Sequence, residues 1–459
     1  MFSAAPASAR SRWWLVGIAA AAAVVAAGLV TVANGDADGG GLGVFRYAGS
    51  GPVSVPEPTP TLGDAANGPQ ERVGVSAPTR SVLRGVLRDQ QEALSHEDRA
   101  AYVSTWVTNR RRSREQAQST YANITALGLS ALRLQLVRGA VHEVVPRLGR
   151  RAGPSSWTAS VRFESALYRH GDARDVDVSY TFTRLGAETR IQSIRAGAVG
   201  REPIWLQGRL RVIRTPEATV VGHDDDTVIA LSRQLAKVRR DVHAVTGPMK
   251  AELLLFAPRN VGQWERALDV GPGDYDGLAA VTTTLDGPTD AGPPVLIAMN
   301  PETGAHLVDL GVQVLLAHEL THALTGAVTV DTPAWIVEGF AEYVAFEAVP
   351  VPVRLSAGFA LREVRRNGLP HQLPTDVDFA RAKSRDVAYA QSWVLSRVIA
   401  RQHGERALVV WYEAMIREPD RLDENLHSLL GITESQLIRR WIDELRRLSS
   451  ARRSGPAQR

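Results

Sequence analysis

The sequence predicts an α+β protein: a mainly helical domain with a small edge sheet, preceded by a smaller α+β module and one transmembrane helix. Three observations predict it. Apolar residues recur at helical spacing through most of 307–448, strict two-residue alternation governs 176–183, and an uncharged apolar run fills 13–33. A length of 459 residues exceeds what one core organises, so more than one domain is expected.

Arg10 and Arg12 precede the run Trp13–Ala33, which is rich in Ala, Val, Leu and Gly. Its 21 positions reach roughly 30 Å as a helix, enough to cross a hydrocarbon core. Trp13 and Trp14 fall where an interfacial aromatic belt would lie, and the positive flank places residues 1–12 in the cytoplasm. A signal peptide cleaved near Ala33 is the alternative, although its apolar segment is usually shorter. The expectation is a single-pass cell-membrane protein with an extracytoplasmic body. Residues 34–76, with many Gly and Pro, read as a flexible tether.

Composition excludes several function classes. With no cysteine, there is no disulfide framework, Cys-ligated zinc knuckle or Cys nucleophile. The formal net charge of +4 is spread along the chain. Its local clusters, Arg110–Arg112 with Arg114 and Arg447 with Arg452 and Arg453, read as solvated faces, so no nucleic-acid partner is expected.

Residues 77–215 form the first module. Val82, Leu83, Val86, Leu87 and Leu94 mark a helix, and 96–106 a shorter one. Leu132, Leu134 and Leu136 alternate as in a strand, and Trp157–Tyr168 is a second strand. Val176, Val178, Tyr180 and Phe182 share one face of a third, opposite Asp177, Ser179, Thr181 and Thr183. Residues 189–195 and 204–213 read as further strands. This order, with the Asp98–Trp106 stretch, resembles the cone of nuclear transport factor 2-like domains, in which helices close over a curved sheet. His142 and His170 read as solvated surface residues.

The second unit spans 216–449, with a tail at 450–459. Short strands are expected at 218–221, 252–256, 281–285 and 295–299, and a helix from Asp224 through Val238. Helices then dominate, apart from loops at 327–333 and 350–378. Trp411, Trp441 and Leu445 read as helix-packing residues, while Arg439, Arg440, Arg446 and Arg447 read as a solvated face. His306 precedes the main motif and is a candidate cleft residue, whereas His371 and His403 read as solvated.

The chemistry sits in His318-Glu319-Leu320-Thr321-His322. Val312, Leu315, Leu316, Leu320 and Ala323 recur at helical spacing and Gly326 ends the run. A spacing of four puts both imidazoles on one helical face, where they can share one tetrahedral Zn²⁺. Glu319 lies beside the first ligand and can reach a metal-bound water without binding the metal. Two histidines and a glutamate in so apolar a helix are costly unless paired or metal-bound. The third ligand is expected from Trp335-Ile336-Val337-Glu338-Gly339-Phe340-Ala341-Glu342-Tyr343, with Glu338 the best candidate. Gly339 permits close helix approach, and Trp335 and Phe340 can wall the site. Glu342, one turn on, can orient a ligating histidine. For either glutamate a solvated helix position is the alternative.

These two segments resemble the gluzincin zinc metallopeptidases, the peptidase MA-like domains related to thermolysin and the M1 aminopeptidases. The resemblance is specific over 318–343 and diffuse elsewhere in 216–449. It implies a hydrolase in which His318, His322 and Glu338 hold zinc, Glu319 is the general base, and the substrate is a protein or peptide. It also implies a downstream tyrosine that stabilises the oxyanion, for which Tyr389-Ala390-Gln391-Ser392 supplies Tyr389. One departure stands out. M1 aminopeptidases grip the substrate amine with an acidic residue in a G-x-M-E-N segment on an edge strand. Ala298-Met299-Asn300 lies comparably in this chain but has no glutamate between Met299 and Asn300. An amine-anchored exopeptidase is therefore not expected, although the strand could still pair with an extended peptide. A peptidase fold that only binds, or a zinc hydrolase with a restricted non-peptide substrate, is the alternative function.

Overall fold

The computed structural model describes residues 78–450, apart from 140, 144–154, 168–172, 199, 276, 286–294, 305–306 and 308. Among the described residues three helices come first: α1 (Arg80–Ser95), α2 (Arg99–Ser104) and α3 (Arg111–Leu127). The side chains of Thr79 and Asp98 cap α1 and α2, accepting from the amides of Val82 and Ala101. Gly128, at φ 66°, ends α3 in the left-handed conformation that glycine adopts without strain.

An antiparallel sheet follows, built from β1 (Ser130–Leu136), β2 (His142–Glu143), β3 (Ser156–Ala166), β4 (Arg174–Leu185) and β5 (Glu188–Ala196). Its order is β1-β3-β4-β5, with β2 also on β3. The alternation in β4 buries Val178, Tyr180 and Phe182 on the face covered by helices. There the Tyr180 hydroxyl donates to Gln90 Oε1 at 2.9 Å, so the sheet and α1 share one core. Residues 204–213 are not the continuous strand expected. Ile204–Leu206 is a 3₁₀ turn, and a strand begins only at Arg211. Pro203 and the positive-φ Gly208 interrupt the extended chain, and buried Ile204 and Trp205 dock instead as a plug.

The second sheet contains β6 (Arg211–Arg214), β7 (Thr219–Gly222), β8 (Leu253–Ala257), β9 (Ala280–Thr284) and β10 (Val295–Met299). Helix α4 (Asp225–Thr246) links β7 to β8, and α5 (Val261–Leu268) follows β8. The order is β6-β7-β8-β10-β9, with β8 parallel to β7 and β10, and β9 antiparallel to β10. The strand ending in Met299 is therefore interior, not the edge expected. Both flanks of β10 are already paired, so it has no free edge for a peptide. β9 is the edge strand instead. Asn300 follows β10 and accepts from the amide of Glu302 at 3.0 Å, opening the short α6 (Pro301–Gly304).

Helices then follow, the first of them packed against β9 and β10: α7 (Asp309–Thr325), α8 (Ala334–Ala348), α9 (Val353–Ser356), α10 (Gly358–Asn367), α11 (Asp376–Ala380), α12 (Ala382–His403), α13 (Glu405–Arg417), α14 (Leu422–Leu430) and α15 (Glu434–Ser450). Helices α7, α8 and α12 form the centre, and α4 packs against α7 and α8. Much of 350–378, expected as loop, is helical. Pro352 opens α9, and a reciprocal capping box of Thr375 with Asp378 opens α11. Trp411, Trp441 and Leu445 are buried, as their spacing suggested.

The expectation of a transmembrane helix, and with it a single-pass cell-membrane location, is corrected. No helix among the described residues is long and apolar enough to cross a membrane. The most uniformly buried helices, α7 and α8, have 17 and 15 residues and carry buried His and Glu side chains. Their apolar character serves a protein core rather than lipid. The Trp13–Ala33 segment and the 34–76 tether lie outside the described residues.

Candidate metal centre

Helix α7 positions three polar side chains within an otherwise apolar core. His318, Glu319 and His322 are all fully buried, between Leu315, Leu316 and Leu320. Gly326, at φ 71°, ends the helix one residue after Thr325. Helix α8 starts just after Pro333, and the amide of Ala334 donates to Asp376 Oδ1 at 3.0 Å, so α11 caps it.

α8 brings two carboxylates to the imidazoles. His318 Nε2 lies 3.2 Å and His322 Nε2 3.4 Å from Glu338 Oε2, and the two Nε2 atoms are 3.0 Å apart. On the other side of the ring, His318 Nδ1 lies 3.2 Å from Glu342 Oε1. That is ion-pair distance without hydrogen-bond alignment, since both atoms lack an aligned partner among the described residues. Glu338 and Glu342 are 1% and 2% exposed, so neither is the solvated residue their spacing alone allowed.

The close helix approach depends on Gly339. A Cβ there would lie 2.5 Å from the carbonyl oxygen of Ser392 on α12. Trp335 and Phe340 face α13, where Phe340 stacks on Tyr412 with centroids 3.8 Å apart and Trp335 packs against Trp411. Tyr389 is fully buried with its ring centroid 6.0 Å from that of His318, and Phe379 of α11 meets its edge.

Sequence reasoning missed Thr282. From edge strand β9 its hydroxyl donates to Glu319 Oε2, and also approaches the Glu319 carbonyl at 3.3 Å. Within the run Val281–Thr284 a threonine reads only as a good strand former, so the sequence carries no signal for it. His142 is exposed on β2, His371 is exposed, and His403 pairs with Arg440, so none of them joins the site. His170 and His306 lie outside the described residues.

The electrostatics favour a cation at the centre. Burial works against a charged His318, yet its contacts with Glu338 and Glu342 outweigh burial and hold its pKa well above the usual histidine range. His322 is lowered, chiefly by burial. Burial opposes ionisation of Glu338 too, but His322 and His318 together hold it below the usual carboxylate range. Burial raises Glu342 and pushes Glu319 up to about 7. A metal ion would replace the proton that His318 otherwise holds beside Glu338 and Glu342.

Zinc fits this donor set. His318, His322 and Glu338 each offer one ligand atom, all within 4.8 Å of one another. Bonds of roughly 2.0–2.2 Å to a tetrahedral zinc imply ligand–ligand separations of about 3.3–3.6 Å. The observed 3.0, 3.2 and 3.4 Å come close to that range. His322 Nδ1, Glu319 Oε1 and Glu338 Oε2 are buried without an aligned hydrogen-bond partner among the described residues. For Glu338 Oε2, coordination would supply what the protein does not.

No known protein family matches the chain, and no curated protein matches its sequence. Among solved structures it is similar to an M1 zinc metallopeptidase from Deinococcus radiodurans, a mutant bound to a Tyr-Ser-Ala substrate. Identity is 12% and the TM-score 0.31, over 67% of this chain and 94% of that one. The same organism's M1 zinc metallopeptidase without that substrate gives 12% identity and a TM-score of 0.30, over the same shares. A two-domain M1 zinc metallopeptidase mutant bound to L-arginine gives 14% and 0.30, over 68% of this chain and 83% of that one. The functional reading rests on the geometry of the site itself.

Proposed function

We propose that the chain is a zinc-dependent metallopeptidase that hydrolyses protein or peptide substrates. One observation carries the reading: three donor atoms from two buried helices converge within 3.4 Å of one another, with a further carboxylate, Glu319, beside them and outside the set. A purely structural zinc site has no need of that extra carboxylate.

His318, His322 and Glu338 hold the metal, and Glu342 orients His318 through its outer nitrogen. Zinc, when bound, supplies a Lewis acid that polarises a carbonyl and makes water nucleophilic near neutral pH. Glu319 takes the proton from the attacking water and passes it to the leaving amine. Tyr389, buried beside His318, donates to the developing oxyanion. We assign residues 216–449 to this peptidase unit. We read 77–215, helices over an antiparallel sheet, as a separate module of nuclear transport factor 2-like shape that binds or orients.

The test is zinc content and proteolysis of the purified full chain beside Glu319→Gln. The variant is expected to keep stoichiometric zinc and lose at least about a hundredfold in turnover. Full activity in Glu319→Gln would overturn the assignment. Complete burial of Glu319, His318 and Tyr389 favours a second reading, a peptidase fold that binds without turning over. Stoichiometric zinc with no cleavage across a broad peptide library would select it.

A further inference from the structure

We propose that Arg201 is a positioning residue for Glu319, acting through edge strand β9 and Thr282; the inference rests on the peptidase reading and deepens it. The carboxylate of Glu319 is held by a neighbouring strand rather than by its own helix. Thr282 donates to Oε2, whereas Oε1 has no hydrogen-bond partner among the described residues. Where that carboxylate points therefore follows where β9 sits.

β9 is poorly placed to hold itself. Among the described residues it pairs with β10 alone, so one flank has no described strand to fix it. Arg201 provides the missing restraint. Its Nη2 donates to Thr283 Oγ1 at 3.1 Å, and its Nη1 donates to the carbonyls of Thr284 and Leu285. One planar guanidinium thus grips three consecutive residues, a geometry that a lysine ammonium does not reproduce. Adjacent strand residues point to opposite faces, so Thr283 is held from the face away from α7 while Thr282 meets Glu319 on the near face. A shift at one is transmitted to the other across a single peptide unit.

Arg201 is itself anchored. The next residue, Glu202, donates its amide to the Arg266 carbonyl at 2.9 Å and pairs with the Arg266 guanidinium at 2.6 Å. Gln207 and Gln263 exchange side chain-to-carbonyl bonds at 3.2 and 3.1 Å. The segment leaving the first module is therefore fixed to α5, and from it Arg201 reaches β9. The first module in this way sets the aim of a group on the far side of the second sheet.

The experiment uses the zinc-loaded full chain and four variants: Arg201→Ala, Thr282→Val, Thr282→Ser and the double Arg201→Ala/Thr282→Val. Backbone hydrogen exchange at 281–285 should quicken in Arg201→Ala while zinc stoichiometry holds. kcat should fall roughly ten- to a hundredfold with KM unchanged, the range expected for a misplaced catalytic group. Thr282→Val should fall at least as far, Thr282→Ser should recover most of the loss, and the double variant should be no worse than Thr282→Val. Losses that multiply in the double variant, or unchanged exchange at 281–285, would overturn the proposal while leaving the peptidase reading intact. An inert wild-type chain would overturn both. If Arg201→Ala does not fold, Thr283→Val removes one of the same bonds from the strand side and is read in the same way.

Discussion

Replacing Gly339 by alanine sets two opposing effects against each other. In an exposed helix interior the change favours folding by about 1 kcal/mol, because glycine loses more backbone freedom. At Gly339 the new Cβ would lie 2.5 Å from the Ser392 carbonyl oxygen and 2.8 Å from its carbon. A carbon–oxygen contact needs roughly 3.3 Å. The neighbour is α12 backbone, which cannot rotate aside, so α8 and α12 must part by several tenths of an ångström. Overpacking of this kind costs about 1–3 kcal/mol and should outweigh the helix gain. The movement also separates Glu338 from the imidazoles and displaces Tyr389, one turn before Ser392. Gly85 is a matched control: it lies inside α1 with nothing within 4 Å of its added Cβ. Urea unfolding of the zinc-loaded chain should show Gly339→Ala less stable by about 1–2 kcal/mol and weaker in zinc binding. Gly85→Ala should be more stable by about 0.5–1 kcal/mol. If both glycines gave the same stabilisation, the close α8–α12 approach would be refuted.

Further outcomes follow from the same site. His318→Ala or His322→Ala should lose zinc and activity together, read by metal analysis of the purified chain. Glu342→Gln should weaken zinc affinity by about 10–100-fold, measured by chelator competition, while the ligand atoms themselves are retained. In the metal-free chain, Glu319 has a folded pKa of about 7 against an ordinary 4.5. Stability from its buried neutral form is full below about 4.5 and is lost as pH rises through about 7. Compared with Glu319→Gln, the metal-free wild type should therefore lose up to about 3 kcal/mol between pH 4.5 and 8. Equal pH dependence in both would show that Glu319 is not so buried.

What the sequence determined on its own was local. Four-residue spacing puts His318 and His322 on one face of α7, because 3.6 residues per turn leave no other arrangement. Likewise Glu342 lies one turn beyond Glu338, Gly326 ends the helix, and alternation in β4 sorts its buried face from its open one. Each of these depends on neighbours within a few residues. The contacts that assemble the site depend on how distant elements pack, and only the tertiary structure decided them. It brought Glu338 within 3.4 Å of both imidazoles, pressed Gly339 against Ser392, and made β9 rather than β10 the edge. Thr282 meets Glu319 across 37 positions of sequence, and Arg201 reaches β9 across more than 80. No periodicity records such a contact, because side-chain spacing along one element carries no information about which other element packs against it.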